Sequence, residues 1–221
     1  MSSSVEPSDI EPSVHGVRPP DLLRIRSIGI DDWSDVRYVH GNAFRTIIAP
    51  HVAPDAVDAF LAALGGPGYA DRLAASDLTG AWLDGDLVGT AGWRRLDGSA
   101  SVARIEGLYV RPLFTFMGIG SALLAHAECR ARDAGCVAFT ATVPAVSVPF
   151  LLRFGYDIAG HGSGLPDAPF DEPMFLMRKR EGAGERPSMD LGDSVDADAD
   201  ADDADVLVAT TSRPRALLFG K

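Results

Sequence analysis

Gly118 and Gly120 stand at the head of the segment Gly118-Ile-Gly-Ser-Ala-Leu-Leu124, and an apolar stretch, Leu108-Tyr-Val110, lies just upstream. A helix start carries unpaired N–H groups and a partial positive charge, and glycines there allow an anion to come close to the backbone. The chemistry these residues suit is capture of a phosphate or diphosphate by main chain, over Thr115 to Ser121. One carboxylate, Glu106, sits just before the apolar stretch, where it could take a proton or hold a cation; its structural alternative is a pair with an arginine such as Arg104. A P-loop would place Lys and Ser/Thr after the last glycine, but Gly120 is followed by Ser121-Ala122. A dinucleotide fingerprint fits little better, since Leu123 holds its third glycine position and seven residues separate Val110 from Gly118.

The elements that must position these groups follow from periodicity. Leu23 to Ile30 alternates as a half-buried strand, and Asp31 and Asp32 offer an N-cap to a helix through Val36, Val39 and Ala43. A second helix is predicted from Pro54 to Leu64, ended by Gly65-Gly-Pro-Gly68, with a short one over Tyr69 to Ala75. Leu78–Leu83, the turn Asp84-Gly-Asp86 and Leu87–Arg94 read as a hairpin, and Ala103–Val110 as a further strand. Ile119, Leu123, Ala127, Ala131 and Ala134 line one face of a helix that Gly135 stops. Val137–Thr142 is a strand, Val146–Phe154 a short helix, and Tyr156-Asp-Ile-Ala-Gly leads to a last strand near Met174–Arg178.

A meander of strands followed by strand, long loop and Gly-x-Gly helix resembles the GNAT (general-control-related N-acetyltransferase) family over roughly residues 22–180. Ile105-Glu-Gly-Leu-Tyr-Val-Arg-Pro112 is similar to its fourth strand, Gly118–Leu124 to its pyrophosphate loop and third helix, and Val148–Tyr156 to its closing helix and Gly-Phe turn. Ile47–Leu61 is similar to two helices that a bacterial subgroup places before the second strand. The resemblance implies an α/β fold with a mixed, mostly antiparallel, splayed sheet flanked by helices. It implies acetyl-CoA as co-substrate, with the pyrophosphate on the N–H groups of Phe116, Met117, Gly118, Ile119, Gly120 and Ser121 and the pantetheine arm along Leu108, Tyr109 and Val110. It implies acetyl transfer to a primary amine on a small molecule or peptide, with Glu106 as base through water or as anchor, no metal, and a possible homodimer.

The sequence departs from the family at two places. Thr115 stands where a Gln or Arg is usual, and Phe116 and Met117 replace basic residues; Arg111 is a nearby cation whose simpler reading is a solvated strand end. Leu151 occupies the place of the Tyr that protonates the departing thiolate, leaving water, or Tyr156, which holds the place of a packed aromatic, to serve instead. These departures motivate a rival reading, a non-catalytic acyl-CoA-binding sensor, and a third, a degenerate fold kept for protein contacts.

Composition bounds the rest. The formal charge is −11 and only two of the 20 cationic residues, Lys179 and Lys221, are lysine. An acidic surface argues against nucleic-acid binding and mildly favours cationic acceptors. No apolar run approaches a membrane span and the N-terminus has no signal-peptide pattern, so a cytoplasmic protein is expected. Cys129 and Cys136 read as small, partly buried apolar residues, and His40, His51 and His161 are too scattered in sequence for a metal site. Trp82, Trp93 and Phe139 read as core, His51 as a solvated loop residue and His126 as surface or edge packing. Residues 1–20 read as a disordered leader, 21–180 as the domain, and 181–221, with its Asp/Ala run, as a largely disordered acidic tail.

Overall fold

The computed structural model describes residues 19–163 and 173–180; the leader and the acidic tail expected from the sequence lie essentially outside them. Seven strands form one sheet in the order β1-β2-β3-β4-β5-β7-β6. They are β1 (Arg24–Ser27), β2 (Asp77–Leu83), β3 (Asp86–Arg95), β4 (Val102–Val110), β5 (Ala138–Val143), β6 (Asp157–Gly162) and β7 (Met174–Arg180). Every neighbouring pair is antiparallel except β4 and β5. Asp84 and Gly85 both take positive φ, 52° and 92°, which gives the β2–β3 hairpin a tight turn whose twist matches its strands.

Five helices cover the two faces. α1 (Trp33–Ala43), α2 (Pro54–Gly65) and α3 (Pro67–Ala74) share a core with Leu78, Trp82 and Leu87, in which the Phe44 and Phe60 rings stack at 3.9 Å. On the other face α4 (Ile119–Asp133) and α5 (Val148–Arg153) bury Leu123, Leu124 and Leu151 against Val88, Ile105 and Phe139. Burial of side chains of this size stabilises by about 1.5–3 kcal/mol each, so the two apolar faces hold the sheet between them. The acidic caps expected ahead of α1 form a 3-10 turn, Ile30–Asp32, in which Gly29 N–H donates to Asp32 Oδ2 at 2.8 Å. After α1 the chain widens into a π turn, Phe44–Ile48, and then tightens into a 3-10 turn, Ala49–His51. Trp82 and Phe139 are buried and Trp93 packs at the core's edge, as expected; Cys136 is buried, but Cys129 faces solvent.

Two irregularities shape the middle of the sheet. Gly92 pairs with Glu106 and Thr90 with Tyr109, so Ala91 alone opposes Gly107 and Leu108. This is a β-bulge, and Gly107 makes it with φ 64°, a conformation that favours glycine. Ahead of the bulge β4 has already left β5: the parallel ladder covers only Val102–Ala138, Ala103–Phe139 and Arg104–Thr140. From Ile105 onward the two strands diverge.

Candidate active site

The divergence opens a cleft of about 520 Å³. Leu108 and Val110 form one wall, Ala141–Val143 on β5 with Pro144 just beyond it the other, and Gly120 and Leu151 close the end toward α4 and α5. A Cβ placed on Gly120 would meet nothing closer than 3.6 Å, so glycine there is not required by packing; its missing side chain keeps the cleft open. The backbone edge of β4 from Ile105 to Val110 has no ladder partner on the β5 side among the described residues. An extended arm can hydrogen-bond along such an edge as an added strand would.

At one end of the cleft the chain from β4 to α4 turns sharply. A 3-10 turn, Pro112–Phe114, is closed by Thr115 Oγ1–H donating to Pro112 O at 2.7 Å. Thr115 therefore holds the loop's shape, where a Gln or Arg would reach outward. Phe116 (φ 63°) and Gly118 (φ 75°) are both left-handed, and α4 begins at Ile119. The first helical hydrogen bond is Ala122 N–H to Gly118 O, 3.0 Å. That leaves Ile119, Gly120 and Ser121 N–H as helix-start donors, and no acidic residue stands in the first turn to compete for an anion. A left-handed Phe costs about 1–2 kcal/mol, and its ring is 92% exposed, so burial does not offset the strain. Arg111, at the head of this loop, lies over the Tyr38 and Phe114 rings at 5.3 and 5.2 Å and within 4.0 Å of Asp86.

The other end of the cleft carries the titratable groups. Glu106 lines it, and Arg94 on β3 lies 3.4 Å from one of its oxygens, an arginine the sequence did not single out; Ser76 Oγ donates to the other oxygen. Arg94 lies across from Arg104 on β3, two residues and hence one same-face position from Gly92, which faces Glu106. Tyr69 and Arg72 from α3 also line this end, with the Arg72 guanidinium 5.0 Å from the Tyr69 ring centre. Three guanidinium groups, Arg72, Arg94 and Arg104, face two carboxylates, Asp97 and Glu106, so the cleft itself is not acidic despite the acidic chain.

Leu151 is buried and lines the cleft, so the position where the family has a proton donor is apolar. Tyr156 does not take over. Its hydroxyl donates to Glu128 Oε1 at 2.9 Å, in a buried cluster where Glu128 also receives Lys179 at 2.7 Å and Arg132 at 2.9 Å. Burial, then the Glu128 charge, pushes its phenol well above the ordinary value. Sequence reasoning missed His40, Tyr69 and Thr90, which form a buried chain beneath the cleft: Tyr69 Oη lies 2.6 Å from His40 Nδ1, and His40 Nε2 lies 2.7 Å from Thr90 Oγ1. Burial lowers the His40 pKa to about 3, so its ring is neutral, and burial raises the Tyr69 phenol out of reach of ordinary titration. The available signal was the spacing Val36, Val39, His40, Ala43, which puts a polar ring on the apolar face of α1.

Residues 51–156 match the model of the acetyltransferase (GNAT) family. The chain thus carries a GNAT acetyltransferase domain, and its open, mostly antiparallel seven-stranded sheet is the fold of that family's solved members. The PaiA N-acetyltransferase of Thermoplasma acidophilum, solved with coenzyme A, is 19% identical, with a TM-score of 0.60 over 72% of this chain and 98% of its own. A GCN5-related N-acetyltransferase of Rhodopseudomonas palustris is 18% identical, with a TM-score of 0.63 over 76% and 99%. The putative acetyltransferase yncA of Salmonella typhimurium, solved with acetyl-CoA, is 17% identical, with a TM-score of 0.51 over 76% and 98%. No curated protein matches the chain. Among the described residues no helix is long and apolar enough to cross a membrane.

Proposed function

We propose that the domain moves acetyl from acetyl-CoA to the nitrogen of a primary amine. The observation that carries this is the continuity of two features: the parted β4 and β5 edges, and the turn and helix-start amides of residues 116–121, of which Gly120 lines that gap. A diphosphate suits the amides and a slender arm suits the gap; two of the similar structures are solved with coenzyme A or acetyl-CoA. Acetyl-CoA supplies the thioester, whose carbonyl carbon the amine attacks.

The residues of this chain then divide the work. Main-chain N–H groups of Phe116 to Ser121 hold the diphosphate, and Leu108, Tyr109 and Val110 hold the arm in extended form. Holding both reactants in the cleft removes much of the barrier to a bimolecular reaction. Glu106, held between Ser76 and Arg94, receives the amine's proton through water or anchors the ammonium. The C–N bond forms, the C–S bond breaks, and the leaving sulfur takes its proton from water, since Leu151 has none to give. A thiol of pKa about 8.5 leaves as thiolate without an acid at an acceptable cost in rate.

The apolar Leu151 also favours a second reading, in which the domain binds acyl-CoA as a sensor without turnover. Mixing the protein with acetyl-CoA and a panel of amines while following free thiol separates the two. Amine-dependent thiol release supports transfer. Acetyl-CoA binding with no thiol release, from wild type or Leu151→Tyr, supports the sensor and defeats the transferase.

A further inference from the structure

The buried chain beneath the cleft has a direction that its last member fixes. Thr90 Oγ1 lies 2.6 Å from the Gly107 carbonyl, which can only accept, so the single Thr90 hydroxyl proton points there. Thr90 Oγ1 must then accept from His40, which places the imidazole proton on Nε2. His40 is neutral, so Nδ1 is an acceptor, and the Tyr69 hydroxyl proton is committed to it. Each link leaves the next no choice. What Tyr69 retains toward the cleft is oxygen lone pairs.

We propose that Tyr69 binds the acceptor amine, its phenol oxygen held as a hydrogen-bond acceptor by the ordered chain His40–Thr90–Gly107 carbonyl. The proposal rests on the acetyl-transfer reading above and adds the acceptor's subsite to it. Tyr69 lines the same end of the cleft as Glu106, and Ile48, Phe60 and Leu73 surround that end with apolar surface. An N–H donor on an apolar stem is the complementary chemistry. The three guanidinium groups at the cleft disfavour a second ammonium, so the class is a monoamine rather than a polyamine.

His40 and Thr90 are positioning residues with a second consequence. The chain ends on the bulge glycine of β4, so the group that orients Tyr69 also ties down a carbonyl within the stretch of β4 that has parted from β5. Acceptor subsite and thioester cleft are thereby held in one register.

Histidine ¹⁵N spectroscopy on the uniformly labelled, ligand-free protein tests the direction of the chain: the proposal requires His40 as the Nε2–H tautomer, and an Nδ1–H tautomer overturns it. Kinetics test the role, using the fastest acceptor among benzylamine, L-leucine, spermidine and a tetrapeptide. Tyr69→Phe should raise KM for that amine about tenfold with little change in kcat, as expected when a uniform binding contact is lost. The KM for acetyl-CoA should not change. Thr90→Val frees the imidazole to reverse and should raise the amine KM in wild type but add nothing in the Tyr69→Phe background. An amine KM that Tyr69→Phe leaves unaltered, a Thr90→Val effect undiminished in that background, or spermidine as the best acceptor overturns the proposal while leaving acetyl transfer standing. Thiol release from none of the four, with acetyl-CoA still bound, overturns the transferase reading and this subsite with it. If Thr90→Val does not fold, the wild-type tautomer and Tyr69→Phe decide.

Discussion

Protonation of His40 should be the largest single source of acid sensitivity in this fold. The ring is fully buried between Tyr69 and Thr90, and burial lowers its pKa from 6.5 to about 3. In the unfolded chain His40 takes up its proton near its ordinary value of about 6.5. Between those two values the unfolded state holds one more proton than the folded state, so the free energy of unfolding falls as pH falls. The stabilisation is fully present above the unfolded value, shrinks by about 1.4 kcal/mol per pH unit below it, and is exhausted below the folded value. The whole span is worth about 5 kcal/mol, a large share of the ~5–15 kcal/mol that holds an ordinary domain together. Between about pH 7 and about pH 4.5 the loss is roughly 2–3 kcal/mol. His126 shifts the same way, through burial and then Arg130, so wild type must be compared with a variant that keeps it. In His40→Asn the amide oxygen can still accept from Tyr69 but nothing titrates. Urea unfolding at fixed ionic strength should show wild type losing about 2–3 kcal/mol more than His40→Asn across that interval. Equal losses would mean that the ring is not held neutral, and the fixed direction of the buried chain would fall with it.

Gly120→Leu should weaken acetyl-CoA binding at least about tenfold by calorimetry while the thermal midpoint changes little, because a Cβ there meets only ordinary contacts and the added bulk enters the cleft; unchanged affinity would place the arm elsewhere. Phe116→Asn should stabilise the domain by about 0.5–1 kcal/mol in urea unfolding, since Asn tolerates left-handed φ and the lost ring was exposed; destabilisation would show that the ring packs on something. Leu151→Tyr should raise kcat for thiol release by about tenfold or more if the phenol reaches the leaving sulfur, with a packing cost of about 1–3 kcal/mol read by thermal melting; a fall in kcat in a folded variant would argue against the placement of the sulfur near α5. Glu128→Ala, which leaves Lys179, Arg132 and Tyr156 around an emptied position, should cost about 3–5 kcal/mol in urea unfolding with the affinity for acetyl-CoA unchanged; a loss below about 1 kcal/mol would show the cluster to be solvated.

Much of the fold was legible because it rests on local periodicity. The apolar stripe from Ile119 to Ala131, the stop at Gly135 and the Asp84-Gly85 turn each carry their own signal, and the elements form within a residue or two of where those signals lie. β6 was harder to see. Its residues Asp157–Gly162 are exposed or half-exposed at the sheet's edge, so no apolar alternation marks them, and it exists because β7 offers a ladder. The turn into α4 was readable because Gly118 and Gly120 stand on either side of the helix's first residue. The Arg94 partner of Glu106 was not, since it comes from the neighbouring strand and meets Glu106 only once β3 and β4 pair. The His40–Tyr69–Thr90 chain was invisible for the same kind of reason: its members are 29 and 50 residues apart and meet only when α1 and α3 pack on β3.

Backbone ¹⁵N–¹H spectra recorded during titration with acetyl-CoA test the central claim most directly. The account predicts saturable shifts concentrated at the amides of residues 116–121 and 108–110, with the β1–β2 edge undisturbed. No shifts at millimolar acetyl-CoA, or shifts that bypass those amides, would contradict it.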